Sequence, residues 1–235
     1  MNIDRKAANR MNHTKIPWCD LTWNPIVGCS PVSEGCEHCY AAAISKRFNK
    51  PWGHPVLHRD RLDQPAKEKK PSRIFVCSMS DLFHNECTVE MQEAVFCAMR
   101  DAPWHTYMLL TKRPHNMRRA FHGRGAIDNW CCGVTAENQG WANARMSCLL
   151  SIRCRVRFVS AEPLLGPIDL NKIHGYWGGI GLDWVIAGPE NGPGARECNP
   201  QWIELLADQC WGGNIPFFDK RENFIRREFP KGIKA

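Results

Sequence analysis

Val156-Arg157-Phe158-Val159-Ser160-Ala161-Glu162 is a short apolar run that breaks abruptly into small and acidic residues. It is too short for a helix and rich in β-formers, so it reads as a buried strand with a polar end. The same unit recurs on both sides. Upstream lie Ile74–Met79 ending in Ser80-Asp81, Tyr107–Leu110 ending in Thr111-Lys112-Arg113, and Cys132–Val134 ending in Thr135-Ala136-Glu137. Downstream lie Trp184–Ala187 ending in Gly188-Pro189-Glu190, and Ile215–Phe218 ending in Asp219-Lys220. Leu21–Val27 reads as a first strand.

The strand ends recur about every 25–33 residues, the length of a strand–loop–helix–loop unit. Helical periodicity fills the intervals. Val89–Arg100 brings Val89, Ala94, Cys97 and Ala98 near one face. Gln201–Trp211 does the same with Trp202, Leu205, Leu206 and Cys210, after the start signal Asn199-Pro200. Alternating strands and helices predict an α/β fold with a parallel sheet, open or closed as a barrel. One domain over residues 1–235 is expected, flexible at 1–15, with insertions near 49–72 and 168–182.

Strand parity carries the reading to function. Residues two apart face the same side of a strand, so Thr135 and Glu137, Ser160 and Glu162, and Gly188 and Glu190 form matching small–acid pairs. Each pair stands at the carboxyl end of its strand, where parallel sheets and barrels build their sites. A single acid there would cap the next helix. Three at equivalent ends favour a shared polar cavity, to which Lys112 or Arg113 adds a group able to hold a carboxylate or phosphate.

A second cluster follows the first strand: Gly28-Cys29-Ser30-Pro31-Val32-Ser33-Glu34-Gly35-Cys36-Glu37-His38-Cys39-Tyr40. Two glycines and a proline make a tight loop, and Ala41–Phe48 then starts a helix. Three thiols in a polar loop suit a metal centre better than core packing does. Most of the other cysteines, including Cys77, Cys97, Cys148 and Cys210, sit singly in apolar segments and read as small core hydrophobes. Cys131 and Cys132 are adjacent, so one faces inward, as a core residue or as a hydrogen-atom donor. A structural zinc needs a fourth ligand, available in Cys19 or His38. An iron–sulfur cluster on Cys29, Cys36 and Cys39 leaves one iron open for a small molecule. The loop's address, at the strand ends that deliver Lys and Glu, favours the cluster.

The chain resembles the radical S-adenosylmethionine (SAM) superfamily, and within it a phage- and prophage-associated three-cysteine-motif family. The residues carrying this are Thr22-Trp23-Asn24-Pro25, the cysteine loop with Cys39-Tyr40-Ala41, Leu110-Thr111-Lys112-Arg113-Pro114, Ser160-Ala161-Glu162-Pro163-Leu164, Ala187-Gly188-Pro189-Glu190-Asn191-Gly192 and Ile215-Pro216-Phe217-Phe218. They span about Ile16 to Lys220. The resemblance implies a partial (β/α) barrel of about six to seven parallel strands with the cysteine loop after the first. It implies a 4Fe-4S cluster on Cys29, Cys36 and Cys39, and SAM on the open iron. Reductive cleavage of SAM would yield a 5′-deoxyadenosyl radical for hydrogen abstraction, with electrons from a reductant such as flavodoxin or ferredoxin. Lys112, Glu137 and Glu162 are then the candidate catalytic residues, and Ser80, Asp81, His38 and Glu190 the candidate cofactor contacts. Asp81 could equally be a helix-start acid. The common loop of that superfamily has three residues between its first two cysteines, whereas six separate Cys29 from Cys36. Ser78-Met79-Ser80-Asp81 stands where the usual glycine-rich SAM-binding stretch would be.

Composition narrows the partner. The chain carries 31 Lys and Arg against 24 Asp and Glu, a net charge of +7. Its basic clusters are Lys67–Arg73, Lys112/Arg113, Arg118/Arg119, Arg153/Arg155/Arg157 and Arg226/Arg227. DNA, RNA or a nucleotide would suit them, a solvated surface equally so, and a partner protein is a further reading. No export signal or apolar run of membrane length is visible, so a soluble cytoplasmic protein is expected. Two rivals remain: a zinc-stabilised nucleic-acid-binding protein, and an iron–sulfur electron-transfer or sensor protein that never cleaves SAM.

Overall fold

The computed structural model describes residues 10–125, 128–173, 181–192 and 194–233. The expected flexible start and the second insertion fall partly outside these. Ten strands and six α-helices are described. β1 (Asn12–His13) and β2 (Leu21–Trp23) are followed by β3 (Ile26–Val27), α1 (Tyr40–Arg47), β4 (Val56–Leu57), α2 (Gln64–Lys67) and β5 (Arg73–Val76). Then come α3 (Val89–Arg100), β6 (Thr106–Thr111), α4 (Pro114–Phe121), β7 (Trp130–Thr135), α5 (Gln139–Leu150) and β8 (Val156–Ala161). β9 (Trp184–Ala187), α6 (Pro200–Gly212) and β10 (Phe217–Asp219) complete the chain.

Eight strands form one sheet in the order β1-β2-β5-β6-β7-β8-β9-β10. β1 runs antiparallel to β2, and the seven strands from β2 to β10 are parallel. The expected single strand Leu21–Val27 is divided. Pro25 lacks the N–H a ladder needs, and Asn24 Oδ1 instead accepts from Met79 N at 2.8 Å. Beyond the break, Ile26–Val27 pair with Val56–Leu57.

The two faces of the sheet pack differently. Leu109, Val134, Val159 and Val185 pack with helix residues such as Val95, Met117, Met146 and Leu206. The alternate positions Phe75, Met108, Cys131, Phe158, Trp184 and Phe218 pack with Trp18 and Cys19 in a second core that takes no helix residue. Cys131 is therefore the inward cysteine of its pair, fully buried, while Cys132 faces the helices.

The Trp18 ring lies 4.9 Å from Phe75 on β5 and 6.5 Å from Trp184 on β9. In a flat sheet four inter-strand spacings, about 19 Å, would separate those strands. The sheet must curl around Trp18, giving a partial barrel. It does not close, since β1 and β10 do not pair among the described residues. A Cβ on Gly133 would overlap the Phe158 ring, so glycine is what lets that ring fill the curl.

Two helix faces differ from expectation. Val89 and Leu205 are exposed, and so is Cys97, expected in the core. On α3 the core takes Ala98, as expected, with Val95, Phe96 and Met99 in place of the others.

Candidate active site at the cysteine loop

The loop leaves β3 at Gly28, whose φ of +107° and contact with the His54 carbonyl exclude a side chain. Gly28 N donates to Met79 O at 3.0 Å, and Ser80 Oγ donates to Gly28 O at 2.5 Å. The end of β5 thus fixes where the loop begins.

From there the loop is tied to one strand end after another. Arg113, after β6, donates to Ser30 O at 2.9 Å and to Asp81 Oδ2 at 3.0 Å, and its Nη1 lies 3.8 Å from Cys29 Sγ. His84 Nε2 lies 2.7 Å from Ser30 Oγ. Ser33 Oγ donates to Glu137 Oε1 at 2.6 Å, and a Cβ on Gly35 would overlap the Glu137 carboxylate. Glu34 accepts from Asn138 Nδ2 at 2.6 Å and Trp141 Nε1 at 2.8 Å. After β9, Glu190 accepts from Arg196 and lies 2.8 Å from His38 Nδ1, while Arg196 also donates to Glu37 and to Glu34 O.

The three expected acids are all ion-paired. Glu137, with no exposed surface, meets Arg145 at 2.7 Å and Lys112 at 3.2 Å. Glu190 meets Arg196 at 2.5 Å. Glu162 pairs with Lys220, and Asn191 approaches it at 3.5 Å. Neither helix-capping nor one shared cavity describes them: α5 and α6 are capped by Asn138 and Asn199, and Glu137 and Glu190 turn to the cysteine loop. Glu162 stays at the mouth, on the inward parity of Phe158 and Ser160. Ser80 and Asp81 are likewise engaged: the Asp81 carboxylate accepts from Thr111 Oγ1, Arg113 and Phe83 N. Lys220 was legible as the polar end of its strand. Arg145 and Arg196, mid-helix and mid-loop, carried no local signal.

Hydrogen bonds from Arg196 hold the Glu190 carboxyl down at about 2. A carboxyl lowered on folding stabilises the fold above its ordinary value near 4.5 and loses that contribution as pH falls toward 2. Glu190→Gln is therefore expected to lower the stability of metal-free protein at pH 6 and to flatten its decline between pH 4.5 and pH 2. Urea unfolding at both ends of that window checks it, and parallel profiles for wild type and variant would refute it.

The donor set suits an iron–sulfur cluster. Cys29, Cys36 and Cys39 are free of disulfides and half-buried in one braced loop. Burial, with Asp81 nearby, pushes the Cys29 thiol up to about 11, so a metal taken up there displaces a proton. Among the described residues no three Cys, His, Asp or Glu converge closely enough for a single ion. Cys19 is packed in the inner core, whereas His38, with Nδ1 on Glu190, keeps Nε2 as the one fourth ligand a zinc reading retains.

A family model described as "Protein of unknown function (DUF5131)" matches residues 13–230. The chain belongs to that family. The DUF5131 chain has no match among curated proteins. Its fold is like that of a solved "spore photoproduct lyase complexed with dinucleoside spore photoproduct", with a TM-score of 0.58 at 11% identity over 90% of this chain and 79% of that one. No helix among the described residues is long and apolar enough to cross a membrane.

Proposed function

We propose that this protein is a radical SAM-type enzyme acting on a nucleic acid or nucleotide. The observation that carries the reading is the position of three half-buried, unpaired cysteines in a loop braced from three strand ends at the mouth of a partial barrel. The likeness of fold to a lyase that holds a dinucleoside photoproduct supports it at the level of the superfamily. Cys29, Cys36 and Cys39 would hold the 4Fe-4S cluster, which with SAM supplies one-electron cleavage and a carbon radical able to take a hydrogen atom from substrate.

The chain's own residues bind, orient and exclude water. Arg113, Ser80, Glu137 and Glu190 spend hydrogen bonds on the loop, the last on its His38, and Asp81 holds Arg113, so they act as positioning residues. Glu162, Lys220 and Asn191, with Lys112 beside Glu137, are the polar groups left to meet cofactor and substrate. Glu162→Gln removes a charge at the mouth without touching the cysteines. Loss of one charge-assisted hydrogen bond there costs about 1.5–3 kcal/mol, so SAM affinity or turnover is expected to fall roughly ten- to a hundredfold. Unchanged SAM binding and turnover in that variant would remove Glu162 from the site.

The decisive experiment is anaerobic reconstitution followed by dithionite and SAM, with 5′-deoxyadenosine measured by chromatography. Its release, even slowly and without substrate, is expected. A fully loaded cluster that binds no SAM and releases none would refute the enzyme reading and leave electron transfer or sensing.

A further inference from the structure

Almost all of the net charge lies in the first insertion together with the ends of the elements that flank it. Lys46 to Arg73 holds nine Lys and Arg against three Asp and Glu, while the whole chain is only +7. This stretch runs from the end of α1 through β4 and α2 to the start of β5. Two cavities of about 700 Å³ each flank the edge strand β1 beside it, and Arg10, Met11 and Gln64 line both. The first adds His13, Lys67 and Lys69, with Glu68 as its one acid. The second adds Lys50, His58 and Arg61 and no acid.

An exposed aromatic stands next to each cavity. Trp104 is 37% exposed and lies under Lys69 Nζ at 5.3 Å. Phe48 is 61% exposed and lies under Lys50 Nζ at 5.9 Å. The second cavity also reaches Val27 and Met79, the neighbours of the Gly28–Ser80 bridge from which the cysteine loop departs.

We propose that this insertion and the edge strand form a binding track for single-stranded nucleic acid that leads to the cysteine loop. Lysines and arginines neutralise the phosphates. Phe48 and Trp104 offer faces on which bases of any sequence stack, each beside a cation that meets the adjoining phosphate. A duplex has its bases stacked already and gains nothing from the two rings. The proposal rests on the nucleic-acid reading above and names the surface that serves it.

The test is fluorescence anisotropy of the full, reconstituted chain with a labelled single strand of about 16 nucleotides. Wild type should bind the single strand at least fivefold more tightly than the matching duplex. If three phosphates are neutralised, affinity should fall roughly twentyfold between 50 and 200 mM salt. The variant Lys50→Glu/Lys69→Glu/Lys70→Glu, all on the surface, should bind at least tenfold more weakly with a shallower salt slope. Phe48→Ala/Trp104→Ala should weaken binding and leave the slope unchanged, and Arg118→Ala/Arg119→Ala on α4 should change neither. A charge-reversed variant that binds like wild type, or a preference for duplex, overturns the track while the nucleic-acid reading stands. Wild-type protein that binds no nucleic acid overturns that reading itself.

Discussion

Cys29→Ala, Cys36→Ala and Cys39→Ala should each yield a colourless protein, whereas anaerobically reconstituted wild type should be brown and carry about four irons. The expectation rests on the shape of the site. The three cysteines share one loop, all half-buried, and Cys19, packed in the inner core, is not placed to replace one of them. Losing any one thiolate leaves two, too few to hold the cluster. Cys97→Ala is the control, because Cys97 is exposed on α3, where its thiol accepts from Arg100. Iron analysis and the absorption spectrum read the result, and circular dichroism shows that each variant is folded. Stoichiometric zinc in wild type with no recoverable iron cluster would instead favour the binding-protein rival.

Glu137→Ala is expected to destabilise the fold by about 3–5 kcal/mol, the cost of leaving a buried cation without its partner. Arg145 is 2% exposed, and its Nε and Nη2 already have no hydrogen-bond partner. Its Nη1 is held by Glu137 and the Thr135 carbonyl. Removing the carboxylate strands Arg145, frees Lys112 and unties Ser33 from the barrel. Urea unfolding of metal-free protein measures the first effect, and iron uptake under limiting iron measures the second. Replacing Arg145 by Met in the same chain should recover part of the stability, since no unpaired charge remains, but not the iron uptake, since Ser33 stays untied. A single variant as stable as wild type would overturn the buried-pair argument, and one with unchanged iron uptake would show that Glu137 does not brace the loop.

Much of the fold is legible in short windows. The alternation in Phe158, Ser160 and Glu162 places these residues on one face without any knowledge of neighbours, and the limits of α3 agree with Val89–Arg100 because the Thr88 cap and the periodicity are local. The side of a helix that meets the sheet is less local. Val89, Cys97 and Leu205 are apolar in sequence and exposed in space, because the sheet's curl decides which stripe it covers. The split of Leu21–Val27 at Pro25 was visible in principle, as a residue with no N–H inside a strand.

The candidate site divides along the same line. By itself the sequence determined an α/β chain with three of its thirteen cysteines in one tight loop after the first strand and polar residues at the strand ends, because periodicity, loop chemistry and strand parity act over a few residues. Only the tertiary structure decided what those residues do. It turned Glu137 and Glu190 toward the loop, brought in Arg145 and Arg196, and left Glu162 and Lys220 at the mouth. Ser33 and Glu137 lie 104 positions apart and Glu37 and Arg196 lie 159 apart. Such pairs meet only because seven parallel strands curl around Trp18, and no local pattern of residues records that curvature.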